Sequence, residues 1–329
     1  MQFMTMKDLA KEARVSVSTV SKAFSDSREI SEEKRNEIFA LAKKNGCFEK
    51  YYKGKFGKKI VAVICPEIRG AFYTEFAAML SDAIERRGGM MVLSVTDFDT
   101  RQEEALIRYY SSNDHADGII LFGGFDLKQE PHIPVVAVGS SMKRKYVDSL
   151  NTDLSTGIDE AVEYLKEMGH REIGFLWEKY TTSKYRLFCE SMRKYGLLIH
   201  EEYCVQSDRR FEIAGYDAMK ALMERPDPPT AVIASYDHMA LGAIRYAQEA
   251  GISIPEDISI IGMDNISTTA YLDVSLTTVL SLDEELCETA VDLIFKKMDN
   301  RYYSAKQEIT LKSRLIKRES VARIKPSQS

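Results

Sequence analysis

The first 46 residues restrict the possible folds of this chain most strongly, because they encode three short helices joined by tight turns. Apolar residues recur at i, i+3, i+4 and i+7 over 6–13, which is the spacing of one helix face. Thr5, Ser16 and Ser31 each stand immediately before a helical segment, in the N-cap position. Two short helices joined by a tight turn and followed by a third predict a helix-turn-helix domain, which we assign to residues 1–46.

The second helix of such a domain enters the major groove of DNA with its N-terminal residues facing the bases. In this chain those residues are Val17 and Ser18, and Lys22 follows one turn later. Val17 faces away from the apolar positions of its helix, so we expect an exposed group that can meet a thymine methyl. The alternative is an ordinary three-helix domain that binds no ligand.

Charge is distributed unevenly along the chain, and this favours the DNA-binding interpretation. Residues 1–59 hold 14 lysines and arginines against 8 acidic residues, which is a net charge of +6. The other 270 residues hold 31 basic and 42 acidic residues, which is a net charge of −11. A basic segment at one end of an acidic protein is typical of a chain that binds a polyanion at that end.

The N-terminal segment resembles the signature of the lactose/galactose repressor family of transcriptional regulators. The resemblance is carried by residues 5–10, Ala13, 15–16, 19–24, Ser31 and Arg35. The sequence departs from the family at Arg14, where the turn usually has Gly, and at Ser25, where Asn is usual. We predict contacts with double-stranded operator DNA from Thr5, Arg14, Ser16, Val17, Ser18, Thr19, Ser21, Lys22, Lys53 and Phe56.

Residues 47–59 form a basic linker between the predicted domains. In the family this segment becomes a hinge helix on DNA and inserts a Leu into the minor groove. Phe56 stands at the matching place, and Phe is a side chain used as an intercalating wedge. Gly54 and Gly57 each lower helix stability by about 1 kcal/mol relative to Ala. A flexible basic tether whose lysines contact only phosphates is therefore the alternative.

From residue 60 onward, short apolar runs alternate with longer amphipathic segments, a pattern that predicts parallel sheets with helices on both faces. Predicted strands cover 60–65, 90–95, 118–122, 135–138, 173–177, 231–234, 258–262, 308–311 and 313–317. Predicted helices cover 74–87, 101–112, 155–168, 184–195, 211–224, 238–250 and 283–298. Two such series in one chain predict an α/β body with two lobes and a cleft between them.

The body resembles the same family and its periplasmic sugar-binding relatives, through the sequences at 168–174, 240–243, 251–265 and 276–278. The resemblance implies a periplasmic-binding-protein-like (type I) body over residues 60–329, for effector binding and dimerisation. It also implies interleaved lobes. We expect one lobe to comprise about 60–155 and 281–311, and the other about 156–280 and 312–329.

Candidate effector-binding residues lie at the ends of predicted strands, where ligands bind in open α/β sheets. Asp264 follows a buried strand, and its carboxylate can accept hydrogen bonds from two hydroxyl groups. The resemblance assigns effector contacts to Asp264 and to Arg186, whose guanidinium suits bidentate contact. For both residues the alternatives are a surface charge or a salt bridge between the lobes. Aromatic candidates, with core packing as the alternative, are Phe72, Tyr73, Phe211 and Tyr236.

These groups favour a sugar as the effector, since aromatic rings stack on its apolar faces while charged groups bind its hydroxyls. A nucleobase or another corepressor fits the same groups. We therefore predict a transcriptional regulator, expected to be a repressor, that binds a pseudo-palindromic operator as a homodimer. Whether the effector releases DNA or promotes its binding is open.

The sequence offers little support for an enzyme on the same fold. It has no Gly-x-Ser-x-Gly, no P-loop and no Gly-x-Gly-x-x-Gly motif, and its five histidines lack metal-ligand spacing. We expect no cofactor. The five scattered cysteines are typical of reduced thiols, and no apolar run reaches membrane-spanning length. These features predict a cytoplasmic protein without a membrane partner.

Overall fold

The computed structural model describes residues 4–25, 27, 29–51, 58–112, 115–122, 127, 130–139, 145–281, 283–299 and 305–324. The chain divides into two compact units, Met1–Lys59 and Ile60–Ser329, which we call the head and the body. Among the described residues, no helix is both long enough and apolar enough to cross a membrane.

The head contains α1 (Met6–Glu12), α2 (Val17–Phe24), α3 (Glu32–Lys44) and α4 (Phe48–Tyr51). The three predicted N-caps are confirmed: the side chains of Thr5, Ser16 and Ser31 accept hydrogen bonds from backbone N–H groups in the first turns of α1, α2 and α3. Buried apolar side chains from these three helices form the core of the head, among them Leu9, Ala10, Val20, Phe24 and Ile38.

Arg14 occupies the turn between α1 and α2 with a left-handed backbone, at a φ of 52°. The Arg14 N–H donates to the Lys11 carbonyl at 3.3 Å, and the Val15 N–H donates to the Ala10 carbonyl at 2.9 Å. These two bonds satisfy the last carbonyls of α1 in the pattern that usually has Gly at the left-handed position. An arginine there costs on the order of 1 kcal/mol of backbone strain relative to Gly.

The body alternates strands and helices. Its strands are β1 (Lys59–Cys65), β2 (Gly89–Val95), β3 (Gly118–Phe122), β4 (Val135–Val138), β5 (Asp148–Asp153), β6 (Ile173–Glu178), β7 (Cys204–Ser207), β8 (Ala231–Ala234), β9 (Ser259–Met263), β10 (Thr277–Leu280), β11 (Glu308–Lys312) and β12 (Arg314–Ile316). Its helices are α5 (Ala71–Arg86), α6 (Thr100–Ser111), α7 (Leu154–Glu167), α8 (Thr182–Lys194), α9 (Phe211–Met223), α10 (Asp237–Glu249) and α11 (Glu284–Asp299).

The strands form two six-stranded sheets, ordered β11-β5-β4-β3-β1-β2 and β12-β10-β9-β8-β6-β7. Neighbouring strands pair in parallel, as in the registers Val63↔Ile120 and Phe175↔Ile233, whereas β12 runs antiparallel to β10. Helices α5, α6 and α11 pack on the first sheet, and α7, α8, α9 and α10 pack on the second. We call these layers the first lobe and the second lobe.

The chain passes three times between the lobes, after β5, after β10 and after β11. Ser313 lies in the third crossover, between β11 and β12, and is buried. Its hydroxyl donates to the Asp153 carbonyl at 2.7 Å and accepts from the Gly157 N–H at 2.8 Å. These bonds tie the third crossover to the first, because Asp153 ends β5 and Gly157 lies in the first turn of α7.

Helices α9 and α10 approach so closely that their backbones touch. A Cβ on Gly215 would lie 1.8 Å from the Met239 carbonyl oxygen, and one on Gly242 would lie 1.8 Å from the Glu212 carbonyl oxygen. Neither contact is possible for a larger residue, so the two glycines determine the spacing of the helices. The N-termini of both helices are thereby placed beside the cleft.

The structure differs from the sequence prediction at several elements. Strands β5, β7 and β10 were not predicted. Strand β5 has the polar sequence DSLNTD, and β7 lies at a sheet edge and is only half-buried. Pairing with β4 and β11 positions β5 without an apolar run of its own. Helix α5 begins at Ala71 rather than Thr74, because Gly70 takes the N-cap position without a side-chain cap.

Candidate functional site

The N-terminal half of α2 presents an exposed face in the head. Val17 is 41% exposed, as the sequence predicts, and Ser18 and Ser21 are also exposed. The Ser16 hydroxyl accepts from the Thr19 N–H at 3.0 Å and contacts the Thr19 hydroxyl at 2.8 Å. The Ser16 hydroxyl therefore caps the helix, and it also holds the Thr19 side chain.

Two further predicted DNA contacts lie around α1. The hydroxyl and the N–H of Thr5 both donate to the Asp8 carboxylate, at 2.6 and 2.9 Å, so the Thr5 side chain is held in a capping box. Arg14 is exposed on the turn before α2. The predicted linker contacts Lys53 and Phe56 lie outside the described residues.

Lys22 forms an ion pair that the sequence did not suggest, with Glu29 as its partner. The ammonium of Lys22 donates to Glu29 Oε2, and this bond holds the pKa of the Glu29 carboxyl below its ordinary value. Both side chains are exposed, because Lys22 keeps 43% and Glu29 keeps 70% of its accessible surface. A carboxylate thus stands beside a predicted DNA contact.

Asp264 lies at the carboxyl end of β9, where the sequence placed it, and its side chain is only 8% exposed. Its backbone is strained, with a φ of 103°, and Asn265 follows at 55°. The carboxylate accepts from Lys184 Nζ at 3.1 Å and from the Ser281 hydroxyl at 2.9 Å. Among the described residues both of these bonds fall on Oδ1, which leaves Oδ2 available to a ligand.

Burial dominates the electrostatics of the acidic residues at this end of the second sheet. It raises the pKa of Asp264 above its ordinary value, although Lys184 and Ser281 act in the opposite direction. Asp237 is buried nearby, and burial together with the Asp264 charge raises its pKa further. Asp237 accepts from the Thr278 hydroxyl at 2.6 Å and from the Ile266 N–H at 2.8 Å, which fixes the loop after β9.

Lys184 is the cation of α8 that contacts Asp264, whereas the predicted Arg186 lies on an exposed part of that helix. The ammonium of Lys184 also donates to the Ser235 carbonyl at 2.7 Å, so it joins the ends of β8 and β9. The effector contact predicted for Arg186 stays a prediction, and Lys184 was not among the predicted site residues. Lys184 lies in the first turn of a helix that follows a buried strand, and this position in the sequence could have indicated a site residue.

Phe72 and Tyr73 lie at the start of α5 in a group of aromatic rings. Their ring centroids are 5.0 Å apart, and each ring meets Phe122 edge-on. Burial raises the pKa of Tyr73 above its ordinary range, and the Glu67 and Asp264 charges act in the same direction. Tyr73 therefore packs against the core of the first lobe, and the Asp264 charge of the second lobe acts on its hydroxyl.

Phe72 and Asp264 both line a cavity of about 320 Å³ between the lobes. That volume is at the lower end of what small-molecule sites in proteins enclose. The first lobe contributes residues of α5 and α11, and the second contributes the loop after β9. The cavity is lined by Phe72, Glu75, Phe76, Met79, Asp264, Asn265, Ile266, Leu280, Asp283, Glu284 and Arg314.

Phe211 and Tyr236 contact each other within the second lobe. The Phe211 N–H donates to the Tyr236 hydroxyl at 2.8 Å, and the two rings meet edge-on at 6.3 Å. Phe211 has a left-handed φ of 62°, and burial raises the pKa of Tyr236 to about 12. The Tyr236 hydroxyl therefore holds the strained start of α9, a structural role that the sequence did not anticipate.

Arg210 and Glu67 form a bidentate ion pair across the cleft, with N–O distances of 2.6 and 2.9 Å. The guanidinium of Arg210 lies 5.3 Å from the Phe98 ring, 5.1 Å from the Tyr180 ring and 4.6 Å from the Phe211 ring. The Phe98 and Tyr180 rings stack on each other at 4.9 Å. Three rings and a carboxylate therefore surround Arg210, and the sequence gave no signal for this group.

Two further pairs of described residues, Ala71 with His238 and Ser267 with Glu75, are hydrogen-bonded between the lobes near the cleft. The Ala71 N–H donates to His238 Nε2 at 2.9 Å, and His238 Nδ1 is 2.5 Å from the Glu212 carboxylate. The Ser267 hydroxyl donates to the Glu75 carboxylate at 2.7 Å. The described part of the chain contains no group of acidic, His and Cys side chains that could hold a metal ion.

Comparison with known proteins connects this geometry to characterised regulators. The chain is 30% identical over 315 residues to the HTH-type transcriptional repressor CytR of Escherichia coli strain K12, with 91% of each chain covered. A LacI-family regulator from Silicibacter pomeroyi superimposes with a TM-score of 0.75 at 23% identity, over 97% of this chain and all of that one. A ribose-bound LacI-family regulator from Enterococcus faecium gives 0.68 at 23% identity, over 81% of this chain and all of that one.

A helix-turn-helix head and a two-lobed body with parallel sheets define a DNA-binding transcriptional regulator with a periplasmic-binding-protein-like body. The family model for bacterial regulatory proteins of the lacI family matches residues 5–46, and a periplasmic binding protein-like domain matches residues 162–321. The chain belongs to the lacI family. The predicted fold class and the predicted resemblance are both confirmed.

Proposed function

We propose that this regulator represses transcription as a homodimer on a pseudo-palindromic operator, and that a small effector in the cleft between its lobes controls operator affinity. Residues 1–46 of the head read the DNA, residues 47–59 tether them to the body, and the body binds the effector. The observation that carries the effector part is Asp264, a buried carboxylate on a cavity between the lobes, whose Oδ2 accepts no hydrogen bond from the described residues.

A sugar is the effector class that these groups fit best. Asp264 Oδ2 accepts a hydroxyl hydrogen, and the Ser281 hydroxyl lies 2.9 Å from the same carboxylate. The Phe72 ring, which lines the same cavity, offers an apolar surface to the C–H face of a sugar. The ribose found in the Enterococcus faecium regulator supports the same class.

A nucleobase is the second candidate, because of the planar groups around Arg210. Phe98 and Tyr180 stack within 15° of parallel, and the Arg210 guanidinium lies over both rings. A flat heterocycle that displaces Arg210 finds ring faces for stacking and the Glu67 carboxylate as a hydrogen-bond acceptor. The two candidates therefore use different walls of the cleft.

Thermal unfolding of the intact protein with a panel of sugars and nucleobases tests the effector proposal. A ligand that binds only the folded state stabilises it by mass action and so raises the melting temperature. At a ligand concentration 100 times the dissociation constant, the unfolding free energy rises by about 2.7 kcal/mol. Asp264→Asn should abolish the shift caused by a sugar, while Arg210→Ala should alter the shift caused by a nucleobase. If no compound in either class shifts the melting temperature, the effector proposal is wrong.

Operator selection from a randomised duplex library tests the DNA-binding proposal separately. We expect enrichment of an inverted repeat, because two-fold symmetric dimers bind two half-sites. The direction in which the effector changes operator affinity decides between induction and corepression. Turnover of any compound that binds the cleft would instead indicate an enzyme.

A further inference from the structure

Glu29 is an acidic side chain on a face where a DNA-binding head is expected to be basic. Ser18 and Lys22 are four residues apart on α2, so their side chains lie on one face of the helix. The Glu29 carboxylate accepts a hydrogen bond from the Lys22 ammonium on this exposed face. The Glu29 carboxylate therefore neutralises the charge of Lys22, which is a predicted DNA contact.

Hydrogen bonds of the described residues Ser27 and Glu29 lead toward both α2 and α3. The Ser27 N–H donates to the Lys22 carbonyl at 3.2 Å, and the Arg35 guanidinium donates to the Ser27 carbonyl at 2.6 Å. The Glu29 N–H in turn donates to the Ser27 hydroxyl at 3.3 Å. Ser27 is thus hydrogen-bonded to Lys22 of α2 and to Arg35 of α3, and Glu29 is hydrogen-bonded to Ser27.

The stability of the head does not explain this ion pair. Exposed pairs contribute about 0–1 kcal/mol to folding, and both of these side chains are well exposed. A carboxylate next to DNA also repels phosphates and lowers sequence-independent affinity. We therefore expect the pair to lower general affinity for DNA while it adds little stability, a combination that favours a role in selectivity.

We propose that Glu29 is a specificity-determining residue, which positions the Lys22 ammonium for a guanine in the major groove and keeps it away from phosphates. This inference rests on the proposed DNA-reading role of α2. An ammonium has three hydrogen-bond donors, so Lys22 keeps two for guanine O6 and N7 while one remains on Glu29. The Glu29 carboxylate is of the type that accepts from the N4 amino group of the paired cytosine. Together the two side chains select a G·C pair.

Glu29→Gln tests the proposal in the intact protein, because it removes the charge and keeps the size of an exposed side chain. Glu37→Gln is the matched control, since Glu37 also pairs with a lysine in the head, Lys34, at 2.7 Å. The probe is the duplex enriched from a randomised library by the unchanged protein, together with duplexes that carry an A·T pair at each position in turn. Binding is measured by fluorescence anisotropy over a range of salt concentrations.

We expect Lys22→Ala to identify one base pair at which discrimination is lost. At that same base pair, Glu29→Gln should lower the preference for G·C over A·T by about fivefold or more. Fivefold is about the lower end of the discrimination that one base contact contributes. Glu29→Gln should also raise the affinity for unrelated duplexes. The slope of log affinity against log salt concentration should steepen by about one unit, because the freed lysine can contact a phosphate. In a Lys22→Ala background, Glu29→Gln should change discrimination no further.

The proposal is overturned if Glu29→Gln keeps full discrimination at the Lys22 position, or if Glu37→Gln changes discrimination there by the same factor. Failure of the DNA-reading role itself gives a different result. In that case the unchanged protein enriches no duplex from the library, and no variant is needed to see it.

Discussion

Glu67 and Arg210 join the two lobes of the body through paired hydrogen bonds, with Nη1 2.9 Å from Oε2 and Nη2 2.6 Å from Oε1. The Glu67 side chain is only 4% exposed, so the carboxylate of this pair is buried away from solvent. Glu67 follows β1 in the first lobe, and Arg210 precedes α9 in the second. Opening of the cleft must break this pair, and its strength therefore affects how readily the lobes separate.

We predict that Arg210→Ala weakens closure of the cleft. The substitution leaves the Glu67 carboxylate without its charge partner, at a cost of about 1–3 kcal/mol in the closed state. The radius of gyration of the free protein, measured by small-angle X-ray scattering, should rise. Arg209→Ala is the control, because Arg209 is exposed and pairs with Asp217 at 3.2 Å within the second lobe. An equal change in both variants would contradict this role of Arg210.

Asp264→Asn should change the pH dependence of stability. The folded protein holds the Asp264 proton to a higher pH than the unfolded chain does, because burial raises the pKa above the ordinary 3.8. The contribution of Asp264 to the unfolding free energy should therefore fall as pH rises from 3.8 to the raised pKa, and the variant should lack this contribution. Urea unfolding across that range measures the difference, and two parallel curves would show that Asp264 is not perturbed.

Gly242→Ala should destabilise the second lobe by about 3 kcal/mol, at the upper end of overpacking effects. The added Cβ would lie 1.8 Å from the Glu212 carbonyl oxygen, so α9 and α10 must separate. Gly196→Ala is a suitable comparison, since Gly196 has a φ of +67° but no atom within 4 Å of an added Cβ. That change should cost only about 1 kcal/mol through backbone strain. Similar losses for both, by denaturant unfolding, would refute the packing argument.

Substitution of Val17 should change the operator preference more than the overall affinity. Val17 is exposed at the start of α2, and its methyl groups are suited to contact with a thymine methyl. Selection with Val17→Ala should therefore lose the preference for a T at one position. A uniform loss of affinity on all sequences would mean that Val17 does not read bases.

The sequence predicted the features that depend on local pattern. The N-caps Thr5, Ser16 and Ser31 were readable because a capping residue acts on its own helix turn. Asp264 was readable as the residue beyond a buried apolar strand. Strand β5 was missed because its position comes from hydrogen bonds to β4 and β11 and not from its own apolar residues.

Contacts between distant segments could not be read in the same way. Lys184 meets Asp264 across 80 residues, and Arg210 meets Glu67 across 143. No spacing along the chain encodes such pairs, because the two sheets bring them together. The resemblance named Arg186, which lies exposed on α8, and its predicted effector contact stays a prediction.

Operator binding with and without effector, by the intact protein, tests the central claim most directly. The duplex is the one that the protein selects from the library, and the effector is the compound that raises the melting temperature of the protein. Affinity for the duplex is measured at several salt concentrations. We predict a sequence preference that weakens steeply with salt, an affinity that the effector changes, and loss of the effector response in Asp264→Asn. The account is contradicted if no duplex is preferred in a salt-sensitive way, with or without metabolites.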